Sequence, residues 1–157
     1  MENETQYLDT FNENLDHFFY QAVDLNLTNL RQCSFWIRTM NNQTHAAEVR
    51  QKRIDRGLPA PPVMICSITS RCNLRCKGCY AIANQKVNGA EISAVRFEKL
   101  VHEAAEIGTN IVLLAGGEPL LRMDILEAAS RARDTVFPVV TNGTLLQGDT
   151  LRFFNKH

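Results

Sequence analysis

The chain has 157 residues, 17 basic against 17 acidic side chains, and is 45% hydrophobic and 22% charged. A balanced charge with no Lys/Arg block excludes a polyanion-binding surface, so no nucleic-acid partner is expected. No apolar run approaches the ~18 residues of a membrane span. Met1-Glu2-Asn3-Glu4 opens no secretory signal, so a cytoplasmic protein without a membrane partner is predicted.

Two helical patterns come first. Leu8, Phe11, Leu15, Phe18, Ala22 and Leu25 alternate spacings of three and four, which is one stripe of a helix. Leu30, Cys33, Ile37, Met40, Ala47 and Ile54 form a second series, interrupted by the polar stretch Asn41 to Thr44. Gly57 stops this helix, and Pro59-Ala60-Pro61-Pro62 forbids its continuation. The expected division is therefore a helical N-terminal segment over 1–58 and a second unit over 59–157.

That second unit alternates. Val63 to Ser70 reads as a buried strand, and Ser93 as the N-cap of a helix carrying Phe97, Leu100, Val101 and Ala104 to Gly108. Asn110 to Ala115 is the next strand, and residues 123–133 the next helix, with Ile125, Leu126, Ala129 and Ala132 on one face. Val136 to Thr141 reads as a third strand despite Pro138, which removes a ladder donor. A last helix starts near Asp149. Three strand–helix units predict an α/β fold with parallel strands joined by crossovers. At roughly 30 residues per unit they do not close a barrel. They make the first half of a partial (β/α)6 barrel, and the chain is expected to be truncated after the third unit.

Three of the five cysteines lie in Cys72-Asn73-Leu74-Arg75-Cys76-Lys77-Gly78-Cys79-Tyr80. Disulfides are disfavoured without a signal peptide, which leaves a metal site as the leading reading, ahead of inert packing. Structural zinc usually takes four ligands in paired spacings, and this loop offers three with no histidine at ligand spacing. Three thiolates on a four-iron cluster would leave one iron open. Cys33 and Cys66 read as core thiols. His17, His45, His102 and His157 are scattered, and Arg71 and Arg75 flank the loop without an assigned role. The second strand ends in Ala115-Gly116-Gly117-Glu118-Pro119-Leu120, a tight turn when read alone. The third ends in Thr141-Asn142-Gly143-Thr144, a hairpin signal that no alternating strand follows. All three segments sit at the carboxyl ends of successive strands, the face that carries the site in βα barrels.

Over about residues 59–154 this set resembles the radical S-adenosylmethionine (radical SAM) enzymes. The resemblance implies that Cys72, Cys76 and Cys79 hold a [4Fe–4S] cluster whose open iron is chelated by SAM. An electron from the reduced cluster would cleave the sulfonium to methionine and a 5′-deoxyadenosyl radical, which abstracts a substrate hydrogen. It further implies that Gly116, Gly117 and Glu118 hold the methionine ammonium, with Pro119 shaping the turn and Thr141 and Asn142 bordering SAM. Glycine backbone permits close approach, and a carboxylate suits an ammonium. The chain departs from the family in carrying Gly78 where an aromatic often precedes the third cysteine. It also lacks the segments expected on the fourth and fifth strands. Residues 1–58 carry no signature. The style looks most like the SPASM-type branch, which includes peptide- and protein-modifying maturases and cofactor-biosynthesis enzymes. A peptide, protein or cofactor-precursor substrate is thereby implied, with a reductant such as flavodoxin or ferredoxin. The competing expectation is a catalytically incomplete cluster-binding fragment, or one subunit of a split enzyme completed by a missing C-terminal half or companion chain.

Overall fold

The computed structural model describes residues 30–79 and 91–157, with the helical positions 10, 11, 13–15, 17, 20 and 21. Of the sequence expectations, Leu8, Phe18, Ala22, Leu25 and Tyr80 lie outside the described residues.

Helix α1 (Leu30–Ile54) runs for 25 residues through Asn41–Thr44 without a break. Its buried face is not the apolar series read from the sequence. Thr39, Gln43, Ala46 and Arg50 are buried, whereas Leu30 and Ile37 are exposed. The reason is what this face meets: loops leading into strands, whose backbone groups need partners. Asn42 Nδ2 donates to Arg133 O at 3.0 Å, and Asn110 Nδ2 to Asn42 O at 3.3 Å. Arg50 Nη1 donates to Gly108 O at 2.6 Å. Asn42 and Arg50 thus give α1 a polar contact with these loops that hydrophobic periodicity cannot reveal, while the Gln43 amide beside them is buried with no hydrogen-bond partner among the described residues.

Strands β1 (Val63–Thr69) and β2 (Ile111–Gly116) pair in parallel, from Val63 opposite Ile111 to Ser67 opposite Ala115. Between them lies α2 (Ala94–Glu106), where the Ser93 hydroxyl accepts the Arg96 N–H at 3.2 Å as the expected N-cap. After β2 comes a 3-10 turn (Pro119–Leu121) and then α3 (Met123–Arg131). Ile68, Phe97, Val101, Val112, Leu114, Leu120, Ile125 and Leu126 form the core between sheet and helices. Met64 and Cys66 pack against it, and burial pushes the Cys66 thiol up. Ile65, on the other side of the pleat, is 69% exposed. On that same side Ile111 and Ala115 of β2 are buried, so among the described residues the open part of that face lies over β1.

The expected third strand is a strip bonded to β2 rather than a continuous strand. Parallel bridges join Ile111 to Val136 and Leu114 to Val139. Val136 N–H donates to Asn110 O at 2.9 Å and Val112 N–H to Val136 O at 2.9 Å. Leu114 N–H donates to Pro138 O at 2.8 Å, and Val140 N–H to Leu114 O at 2.9 Å. The absent rung is the one Pro138 cannot donate, and it divides the strand. Helix α4 (Gly148–Lys156) follows, with Phe153 and Phe154 against the core. This is the parallel α/β arrangement of a partial barrel. A groove of about 240 Å³ opens between α1, α3, the strip and α4, and none of the sequence-predicted site residues lines it.

The carboxyl ends of β1 and β2 are pressed together. The register slips between Ser67 and Thr69, and then Gly117 N–H donates to Thr69 O and Glu118 N–H to Arg71 O, both at 2.8 Å. A Cβ on Gly116 would stand 2.2 Å from Thr69 O, and one on Gly117 2.2 Å from Arg71 O. Gly116 also has φ +137, where L side chains are strained. These glycines are demanded by the chain's own backbone before any ligand is considered. Gly116→Ala and Gly117→Ala should each cost at least about 2 kcal/mol without any cofactor added. Urea-unfolding midpoints measure this, and wild-type midpoints would contradict it.

Candidate functional site

The segments following β1, β2 and the strip converge at the carboxyl ends of the strands, and Glu118 joins two of them. Its side chain is completely buried. Oε1 accepts Leu120 N–H at 2.9 Å and the Thr141 hydroxyl at 2.7 Å, while Oε2 accepts Asn142 N–H at 2.9 Å. Thr141 Oγ1 in turn accepts Gly143 N–H at 3.0 Å. Every contact to the carboxylate is thus a donor, as an acceptor-only group requires.

Asn142 links this staple to the cysteine loop. Its Oδ1 accepts Thr144 N–H at 3.0 Å and the Thr144 hydroxyl at 2.7 Å. A backbone N–H can only donate, so this end of the carboxamide is the oxygen and the NH2 group faces the other way. There Nδ2 donates to Asn73 Oδ1 at 2.9 Å and stands 3.9 Å from Cys72 Sγ. Asn73 Nδ2 closes the ring by donating to Thr144 Oγ1 at 2.7 Å. Cys72 Sγ also faces Leu74 N–H at 3.4 Å.

Cys72 and Cys79 are half-buried and Cys76 is exposed. A turn with Cys79 N–H donating to Cys76 O at 3.3 Å separates the last two. Among the described residues no three His, Cys, Asp or Glu side chains stand close enough together to hold one ion. The donor chemistry fits an iron–sulfur group nonetheless. Three accessible thiols lie on one short loop, and the first faces N–H groups suited to a sulfur ligand.

Behind the loop lies a charged network that sequence reasoning missed. The Arg122 side chain is only 8% exposed. Nη1 donates to Ile68 O at 2.8 Å, Nη2 to Ile92 O at 2.6 Å, and the guanidinium forks onto Asp124 at 2.9 and 2.8 Å. Glu91 accepts from Thr69 Oγ1 at 2.5 Å, Arg71 Nη2 at 3.2 Å and Arg122 Nη1 at 3.3 Å. Arg71, unassigned from sequence, is thereby tied to Glu91. The one clue to Arg122 was a charge inside Pro119-Leu120-Leu121-Arg122-Met123, between a buried strand and a helix. Glu91 left no signal at all.

Replacing Glu118 with Gln keeps the shape but turns an N–H group toward a donor. Glu118→Gln should lose about 1–3 kcal/mol in urea unfolding, the cost of an unsatisfied buried group. Unchanged stability would argue against the staple. Chiefly the Thr69 hydroxyl, and also Arg71 and Arg122, hold the Glu91 carboxyl below its usual range, and Arg122 does the same for Asp124. Groups with lowered folded pKa stabilise fully above the unfolded value, about 4, and lose that contribution as pH falls through the folded value. Stability should hold from pH 7 to about 5 and fall below about 4. Glu91→Gln should flatten part of that fall, whereas superimposable acid-unfolding profiles would refute the assignment.

Known proteins share this part of the chain. A protein named pre-heme d1 synthase, from Dinoroseobacter shibae, is 39% identical over 94 residues, covering 59% of this chain and 23% of its own length. An Fe-coproporphyrin III synthase of Methanosarcina barkeri is 39% identical over 87 residues, 54% of this chain and 22% of the relative. A probable GTP 3′,8-cyclase of Methanothermobacter thermautotrophicus is 42% identical over 85 residues, 52% of this chain and 28% of the relative. The chain spans about a quarter of the length of these curated relatives. No solved structure gives a significant match. Among the described residues no helix is long and apolar enough to cross a membrane. The sequence pattern of the Radical SAM superfamily matches residues 66–156, more than half of the chain and all three strand-end segments, and the chain belongs to that superfamily.

Proposed function

We propose that the chain is the cofactor-binding portion of a radical SAM enzyme, with Cys72, Cys76 and Cys79 as the ligands of a [4Fe–4S] cluster. The supporting observation is the junction at the strand ends, where the Gly-Gly-Glu turn, Thr141-Asn142 and the cysteine loop are tied by hydrogen bonds. When bound, the cluster supplies the electron that splits the SAM sulfonium into methionine and a 5′-deoxyadenosyl radical, which takes a hydrogen from substrate. The protein's part is to hold these groups in place. Gly116 and Gly117, partly exposed, offer backbone carbonyls to the methionine ammonium. Glu118, wholly enclosed, serves them by fixing the turn and by holding Thr141 and Asn142 at the border of SAM. Pro119 starts the 3-10 turn behind it.

The relatives are named for making pre-heme d1 and Fe-coproporphyrin III and for cyclising GTP, which favours a cofactor precursor as substrate over a peptide. A low-potential protein such as flavodoxin or ferredoxin is the proposed reductant, and the cytoplasm the proposed compartment. Ile65 and Val140, 69% and 54% exposed on the sheet side away from the core, favour further chain packing there before turnover is fast. The described residues alone then amount to a cluster-binding part of a larger assembly.

Anaerobic reconstitution should give ~4 iron and ~4 sulfide per chain, and Cys76→Ala should abolish the iron–sulfur chromophore. Zinc without that chromophore, or a cluster indifferent to Cys76→Ala, would overturn the reading. After dithionite reduction the isolated chain should release 5′-deoxyadenosine only slowly, and rapid substrate-coupled release would sink the incomplete-assembly part.

A further inference from the structure

We propose that the Asn142 carboxamide is an N–H donor to the Cys72 sulfur that raises the reduction potential of the cluster, a role that rests on the radical SAM reading. Its orientation is forced. Oδ1 is occupied by the N–H and hydroxyl of Thr144, which leaves Nδ2 facing Asn73 Oδ1 at 2.9 Å and Cys72 Sγ at 3.9 Å. The residue cannot swing away freely, because its own backbone N–H is held by the buried Glu118 carboxylate at 2.9 Å. Leu74 N–H approaches the same sulfur at 3.4 Å, so Cys72 faces two donors. Among the described residues no side-chain donor stands against Cys76 or Cys79, so the effect is concentrated on one ligand.

The physics concerns charge. One-electron reduction adds negative charge that spreads onto the thiolate sulfurs, and an N–H donor stabilises the reduced form more than the oxidised one. Removing the donor lowers the potential. Replacing it with a carboxylate lowers the potential further, because a like charge then faces the sulfur. The same reasoning gives Glu118 a positioning role: it acts on the cluster only by holding the Asn142 backbone.

The test is a redox titration of the reconstituted chain, followed by the electron paramagnetic resonance signal of the reduced cluster, alongside iron and sulfide counts. Asn142→Ala and Asn142→Asp should keep wild-type iron and sulfide while the midpoint moves downward, further for Asp. Thr144→Val, which opens the Asn142–Asn73–Thr144 ring but leaves the Thr144 N–H and the Asn142 amide in place, should move it little. Equal shifts in Thr144→Val and Asn142→Ala would overturn the proposal in favour of loop rigidity. So would wild-type midpoints in both Asn142 variants. Loss of the cluster from both Asn142 variants, with Thr144→Val intact, would equally overturn it, since Asn142 would then only hold the loop. Absence of an iron–sulfur cluster from the wild-type chain would instead sink the underlying reading, and the counts identify that case before any titration.

Discussion

A buried carboxylate holds this site together. Glu118 lies at the end of β2 with no cation against it among the described residues, and it is stabilised by one N–H of its own turn and by the hydroxyl and N–H of Thr141 and Asn142. Removing a carboxylate from water costs several kcal/mol, and hydrogen bonds to a charged group offset about 1.5–3 kcal/mol each. Three such bonds make burial tolerable only while the neighbouring strand end stays in register. The requirement works outward. It pins Thr141 and Asn142, and Asn142 reaches the loop bearing Cys72.

The close approach of β1 and β2 imposes the complementary constraint. Thr69 and Arg71 carbonyls lie where Cβ atoms of residues 116 and 117 would otherwise be. From the other side, Arg122 clamps the same strand end through Ile68 O and meets Glu91 beneath Arg71. The cysteine loop thus leaves a rigid base, while Cys76 itself remains exposed. A firm foundation with accessible thiols suits a loop that must gather three sulfurs around a metal group. At the opposite ends of the strands, α1 satisfies loop carbonyls through Asn42 and Arg50, so strand entry and strand exit are both fastened by polar contacts.

Much of the architecture was legible because it follows from local chemistry. Ser93 caps α2 as its side chain predicts, and Phe97, Val101 and Ala104 are buried as their spacing requires. Pro138 was expected to disturb the third strand, and it removes a single rung, which is enough to divide it. The stripe assigned to α1 failed for a definite reason. Apolar periodicity finds faces that meet apolar surfaces, whereas the buried face of α1 carries Arg50, bonded to Gly108 O, and Gln43, whose amide is buried with no hydrogen-bond partner among the described residues. Glu118 was identified as a residue of the site, but its burial and its hold on Thr141 depend on a strand 23 residues away.

By itself the sequence determined the family, through the three-cysteine loop and the Gly-Gly-Glu-Pro and Thr-Asn-Gly segments, and the alternation of parallel strands and helices that carries them. Those are local properties: side-chain chemistry, spacing and turn propensity. Only the tertiary structure decided that the two glycines yield space to the chain's own backbone. It also decided that Glu118 faces hydrogen-bond donors from another strand, and that the Asn142 amide turns toward Cys72. Orientation and burial depend on which distant segments meet, and the order of residues along one segment does not contain that.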